Sequence, residues 1–148
     1  SIEGLITFPN AAEITALDLG HNRLINIPAK SFSSFKNLES LYLQKNSIDF
    51  INSEMLHGLS HLRKISLSRN PFTEIPNNMF HYTPLLHSIE LEGNSLKSFN
   101  PEVIQNLPHL KKVWLAGYER WLNAEFKANL RRQFPAIEFD FENYCSWR

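Results

Sequence analysis

An asparagine recurs every 24 residues along most of the chain. Four asparagines share this spacing: Asn22, Asn46, Asn70 and Asn94. Each belongs to the same frame, in which apolar residues stand eight, five and three positions before the asparagine and two positions after it. A fixed period of this length is typical of stacked structural units, and it argues against a fold built around one non-repeating core.

The apolar positions of each frame alternate with a period of two, as a short half-buried strand requires. In the first frame Leu17 and Leu19 face one side of this strand, whereas Asp18 and Gly20 face the other. One unit alone has too little partner surface to bury its leucines, but stacked units share a continuous core. Burial of roughly seven apolar side chains per unit, at about 1.5–3 kcal/mol each, sets the scale of this stabilisation.

Backbone hydrogen bonding explains the asparagine column. After each strand the chain turns inward and leaves N–H and carbonyl groups that neither a strand nor a helix satisfies. A buried side-chain amide carries donors and an acceptor, so it can bond its own turn and a neighbouring turn. We therefore expect a structural ladder rather than a ligand site, formed by Asn22, Asn46, Asn70 and Asn94.

The repeated frame resembles the 24-residue form of the leucine-rich repeat family. The similarity rests on the frame L-x-x-L-x-L-x-x-N-x-L and on a following I-P-x-x-x-F, represented by Ile27-Pro28 and Ile75-Pro76. It implies an α/β, right-handed leucine-rich repeat solenoid with a curved parallel sheet of about six strands on its concave face. This form is similar to that of Toll-like receptor ectodomains and of secreted insect leucine-rich immune proteins.

Both ends depart from the frame. Counting 24 residues onward predicts a fifth strand near 110–115, with Tyr118 in the asparagine position, and a degenerate sixth strand within 137–141. Between these strands, apolar residues four positions apart predict a helix. We expect one domain over 1–148, with an N-terminal cap or partial repeat at 1–13, four regular repeats at 14–109, and degenerate repeats with a helix-plus-strand cap at 110–148.

Charge and motifs argue against several functions. Lys and Arg together number 15, as do Asp and Glu, so the formal net charge is zero, whereas nucleic-acid binding favours a basic excess. No apolar run approaches the ~20 residues that span a bilayer. His57 and His61 have ligand spacing without the glutamate of a zinc protease, and neither a phosphate loop nor a nucleophile elbow occurs. We expect no nucleic-acid partner, no membrane insertion, no catalysis, no cofactor and no metal.

The outward strand positions form the candidate binding surface. Its predicted central column runs through Asp18, Tyr42, Ser66, Glu90, Trp114 and Glu138. Tyr42 and Trp114 are of the residue types that dominate binding hot spots, although Tyr42 has an ordinary surface role and Trp114 a packing role against Tyr118 as alternatives. Alternating bands of charge favour a protein or peptide ligand. The predicted partner-binding residues are Tyr42, Lys64, Glu90, Glu92, Lys112 and Trp114.

Three functions remain open from the sequence. The family resemblance implies non-catalytic protein–protein recognition by a secreted, extracellular protein of innate immunity. An intracellular adaptor or scaffold would use the same surface, and the absence of an N-glycosylation sequon leaves this alternative in place. A module that assembles into homo- or hetero-oligomers is the third function, because the single cysteine, Cys145, can form a disulfide only with another molecule.

Overall fold

Six short strands form one parallel sheet. A computed structural model describes residue 2 and residues 8–144. Each strand pairs with the next along the chain, so the order in space is the order in sequence. This arrangement is the predicted solenoid, in which every strand opens a new coil. The strands are β1 (Ala16–Asp18), β2 (Ser40–Tyr42), β3 (Lys64–Ser66), β4 (Ser88–Glu90), β5 (Lys112–Trp114) and β6 (Glu138–Asp140).

The inward side of the sheet forms the core that the coils share. The central residue of each interior strand is fully buried, as are the leucines two positions further on. Behind the strands, short 3₁₀ turns at Ser53–Leu56 and Pro101–Ile104 carry apolar residues back toward the sheet. The buried inward residues of β2 to β5 are Leu41, Leu43, Ile65, Leu67, Ile89, Leu91, Val113 and Leu115.

The fifth coil is longer than the prediction. Lys112 pairs with Glu138 and Trp114 pairs with Asp140, which places β6 26 residues after β5. The central column therefore ends at Asp140, and the assignment of Glu138 to this column was wrong. The reason lies behind the sheet, where α1 (Ala124–Gln133) replaces a 3₁₀ turn. An α-helix rises about 1.5 Å per residue against about 2.0 Å for a 3₁₀ helix, so it needs more residues to cover the same distance.

Helix α1 begins later than the apolar spacing suggests. The side chain of Asn123 accepts a hydrogen bond from the backbone N–H of Phe126 at 2.9 Å, which caps the first turn. Trp121 and Leu122 therefore precede the helix. Leu130 is its buried residue, and Phe126 and Phe134 pack against the same core.

The interior asparagines bond back to the preceding coil. Asn70 Nδ2 donates to the carbonyl of Leu67 in its own coil at 3.1 Å and to that of Leu43 in the previous coil at 3.0 Å. Its Oδ1 accepts from the backbone N–H of Ile48 at 3.1 Å. Asn46 makes the equivalent bonds one coil earlier. Each amide thus holds two coils together through otherwise unsatisfied backbone groups.

The two ends of this ladder differ from the expected buried row. Asn22 is exposed, and its side chain donates to the carbonyls of Leu19 and Gly20 in its own coil. At the other end, the Tyr118 hydroxyl donates to the carbonyl of Leu91 at 2.5 Å and accepts from the backbone N–H of Asn94 at 3.1 Å. A phenol therefore takes the asparagine's place in the fifth coil.

Candidate recognition surface

The outward side of the sheet presents three columns of side chains, which we call the concave surface. The strands place them in register, because neighbouring strands pair at equivalent positions. The first column runs Ala16, Ser40, Lys64, Ser88, Lys112 and Glu138; the second runs Asp18, Tyr42, Ser66, Glu90, Trp114 and Asp140; the third follows the strands at Gly20, Gln44, Ser68, Glu92, Ala116 and Glu142.

Lys64 lies between an aromatic ring and a carboxylate. Its Nζ is 5.5 Å from the centroid of the Tyr42 ring and 3.9 Å from Oε1 of Glu90. Tyr42 and Lys64 are both half-buried, so part of each remains accessible. An ammonium group over a ring face fixes the orientation of both side chains. The pair forms a preorganised corner of the concave surface.

Lys112 repeats this arrangement two strands away. Its Nζ is 4.5 Å from the centroid of the Trp114 ring and 2.7 Å from Oε2 of Glu138. Trp114 is half-buried. Tyr118, its alternative packing partner, stacks instead on Trp121 at a centroid distance of 4.8 Å. The concave surface therefore holds two separate lysine–aromatic pairs.

The middle of the concave surface is buried, contrary to the expectation that its outward residues face solvent. Glu90 and Glu92 have no exposed surface, and the same holds for Gln44, Ser66 and Ser68. The hydroxyl oxygens of the two serines lie 3.3 Å apart. Glu90 and Glu92 are thus placed on the predicted face but are not available to solvent there. Their part in partner binding remains a proposal.

Tyr144 reaches over the end of this buried region. A Cβ added to Gly117 would lie 2.5 Å from the Tyr144 hydroxyl oxygen, and one added to Gly93 would lie 2.8 Å from its ring. Both glycines also have positive φ, of 95° and 71°. The guanidinium carbon of Arg69 lies 4.7 Å from the centroid of the Tyr144 ring. Sequence reasoning missed Tyr144, although glycine at both 93 and 117 was a signal for close approach.

Asp140 closes the turn that precedes Tyr144. Burial raises the pKa of its carboxyl group, but hydrogen bonds from the backbone N–H groups of Asn143 and Glu142 outweigh this effect and hold the pKa below its ordinary value. These bonds measure 2.9 Å and 3.2 Å. The charged carboxylate therefore stabilises the bend that leads the chain from β6 toward Gly117.

The remaining predicted features can be placed only in part. Cys145 lies outside the described residues. Within residue 2 and residues 8–144, no group of three or more His, Cys, Asp or Glu side chains is arranged to hold a metal ion. Across those same residues, no helix has the length and apolar character needed to cross a membrane.

Comparison with known proteins identifies the repeat. A family model described as leucine rich repeat matches residues 12–72 and again residues 60–117. No curated protein sequence matches the chain. Among solved structures, a Drosophila Toll–Spatzle complex is similar to this fold with a TM-score of 0.67 at 21% identity, and a TLR13–ssRNA13 complex with a TM-score of 0.68 at 29% identity.

The chain corresponds to a small part of those structures. The Toll match covers 72% of this chain and 14% of the other, and the TLR13 match covers 78% and 16%. The chain therefore spans about a seventh of the length of each of these chains.

Proposed function

Because the chain belongs to the leucine-rich repeat family, we propose that it recognises a protein or peptide through its concave surface, without catalysis. The observation that carries this proposal is the presence of two half-buried aromatic residues, Tyr42 and Trp114, each oriented by a lysine over its ring. Partly desolvated aromatic side chains beside charged groups are typical of binding hot spots. A parallel sheet of this kind needs no aromatic residue on its outward side for its own stability.

The charges on this surface favour a particular kind of partner. Lys64 and Lys112 each have a carboxylate within reach, so a partner would compete for groups that are already paired. Such an arrangement favours a ligand with both acidic and basic groups over one of uniform charge. We therefore infer a protein or peptide with apolar residues for Tyr42 and Trp114 and mixed charge around them.

An extracellular role in innate immunity is part of the same proposal. The similar Toll structure is described as a complex with Spatzle and as a hub of development and innate immunity. This similarity supports recognition of a protein ligand outside the cell. The intracellular adaptor and the oligomer linked through Cys145 remain alternatives, and gels run with and without reductant would reveal a disulfide-linked dimer.

Single-stranded RNA is the second candidate ligand. The similar TLR13 structure holds single-stranded RNA. The zero formal net charge of the chain argues against RNA, because phosphate binding relies on an excess of Lys and Arg. Binding of a short single-stranded RNA, measured at low and high salt, distinguishes the two ligands.

The test of the proposed function is capture of a partner from extracellular fluid by the full chain. Trp114→Ala and Tyr42→Ala should each weaken binding by about 30-fold, which corresponds to the ~2 kcal/mol of a hot-spot residue. Phe50→Ala is the matched control, because Phe50 is 65% exposed but lies outside the concave surface. Equal capture by all three variants would refute the proposed surface. Trp114 would be a packing residue if its substitution lowered the melting temperature as much as Asn70→Ala.

A further inference from the structure

A buried acidic group in the middle of the concave surface is left with too few partners. Glu90 is fully buried, and within residue 2 and residues 8–144 its carboxylate oxygens receive no hydrogen bond. Its nearest cation, Lys64 Nζ, lies at 3.9 Å. A buried carboxylate is costly unless donors and positive charge surround it. The site therefore requires a further group that donates hydrogen bonds.

Gln44 poses the same problem two strands away. Its side-chain nitrogen and oxygen are both buried and, within the described residues, both lack a hydrogen-bond partner. Gln44 stands one strand from Ser68, which is also fully buried on the same side of the sheet. The missing group must therefore extend from β4 to β2 and must offer both donors and an acceptor, as a peptide segment does.

The path of the chain after β6 leads to this place. Strand β6 is the last strand of the sheet, yet Tyr144 contacts Gly117 and Gly93, which follow β5 and β4. Its ring also lies against Arg69, which follows β3. Between Asp140 and Tyr144 the chain has thus turned back across the sheet, and it is directed toward the buried residues.

We propose that residues 145–148, Cys-Ser-Trp-Arg, occupy the middle of the concave surface and cover Glu90, Glu92 and Gln44. Four extended residues reach about 13 Å. Strands are about 4.8 Å apart, so this length spans the distance from β4 to β2. The segment has the required length and begins at the required position.

The chemistry of the segment matches the surface beneath it. Arg148 carries five N–H donors and a permanent positive charge, which suits a site with two buried glutamates on β4. Ser146 and the indole N–H of Trp147 add further donors, and the backbone of the segment offers carbonyl acceptors to Gln44. The surface thus selects an aromatic and cationic peptide. This inference goes beyond the proposed function, since it needs no external partner.

Disulfide trapping in the full chain tests the placement, since Cys145 is the only native cysteine. A cysteine introduced by Ser68→Cys should form an intramolecular disulfide with Cys145, because two cysteines bridge only when their Cα atoms lie within about 7 Å. Gln105→Cys is the control, placed on the exposed back of the fourth coil. The rate of disulfide formation, followed by thiol counting, should be at least about tenfold higher for Ser68→Cys. Equal rates at both positions overturn the proposal.

Two further variants test the charge pairing. Arg148→Gln and Glu90→Gln, each combined with Ser68→Cys, should slow disulfide formation several-fold, whereas Glu125→Gln on the exposed side of α1 should leave it unchanged. An unchanged rate in the Arg148→Gln and Glu90→Gln variants overturns the assignment of Arg148 to Glu90. Gln44→Cys provides a second trapping position if Ser68→Cys fails to fold. Because no ligand is added, these results are independent of whether the proposed partner exists.

Discussion

The first and third coils carry the same sequence frame but differ in burial. Leu19 is half-buried, whereas Leu67, its equivalent two coils later, is fully buried. Asn22 is exposed, whereas Asn70 is 2% exposed. The residue types are identical, so the difference comes from neighbours. The third coil has a coil on both sides, and a side chain of this fold is buried by the coils that flank it rather than by its own.

The largest expected effect comes from the leucine pair. Leu67→Ala should lower the free energy of unfolding by about 2–5 kcal/mol, because it leaves a cavity in a fully packed layer. Leu19→Ala removes the same atoms from a half-buried position and should cost less than half as much. Urea unfolding followed by circular dichroism measures both values. Equal losses would mean that the first coil is packed as tightly as the third.

The asparagine pair should give the next largest difference. Asn70→Ala leaves buried carbonyl and N–H groups of two coils unbonded, at about 1–3 kcal/mol. Asn22→Ala removes bonds that solvent can replace, and we expect a change within about 0.5 kcal/mol. The melting temperatures of both variants, compared with that of the wild type, check this prediction. A large loss for Asn22→Ala would contradict the exposed first coil.

A smaller effect is expected for the phenol that ends the ladder. Burial raises the pKa of the Tyr118 hydroxyl, so it remains protonated and able to donate to Leu91. Tyr118→Phe should destabilise the fold by about 1 kcal/mol. Tyr82→Phe is the control, because its hydroxyl bonds to the side chain of Glu54 rather than to a buried backbone group. Similar losses in both variants would argue that Tyr118 contributes only through its ring.

The smallest effect concerns pH at the last turn. The pKa of Asp140 is lowered in the fold, so its charged form contributes stability above the ordinary value of 3.8, and this contribution disappears as the pH falls through the folded value. Asp140→Asn should therefore lower the melting temperature slightly at pH 7 and not at pH 2. Asp18→Asn, the equivalent position in the first coil, provides the comparison. A difference that persisted at pH 2 would exclude the charge as its cause.

The repeat made most of the fold predictable. Each frame supplied both the period-two alternation of a strand and the asparagine of its turn, so strands near Leu41, Ile65 and Ile89 followed from local pattern alone. Position 114 was also placed correctly on the outward side. These features depend on residues within one coil or on its immediate neighbours, which is the information a period conveys.

The parts that could not be predicted depend on longer-range geometry. The register of β6 required the length of chain that α1 consumes, and no count of 24 contains it. The burial of Glu90 and Glu92 depends on what lies over the sheet, whereas the frame describes only the sheet itself. Tyr144 stands far along the chain from Gly93, so their contact has no local signature apart from the two glycines.

The direction of the asparagine bonds gives the solenoid a polarity of growth. Every interior amide reaches toward the coil that precedes it, so the groups needed to receive another coil are already present at Asn22. A designed repeat fused ahead of this residue would find its acceptor waiting, and no residue of the first coil would need replacement. The opposite end offers no such socket, because the chain after β6 folds back over the sheet, and elongation there would require removal of the turn at Asp140.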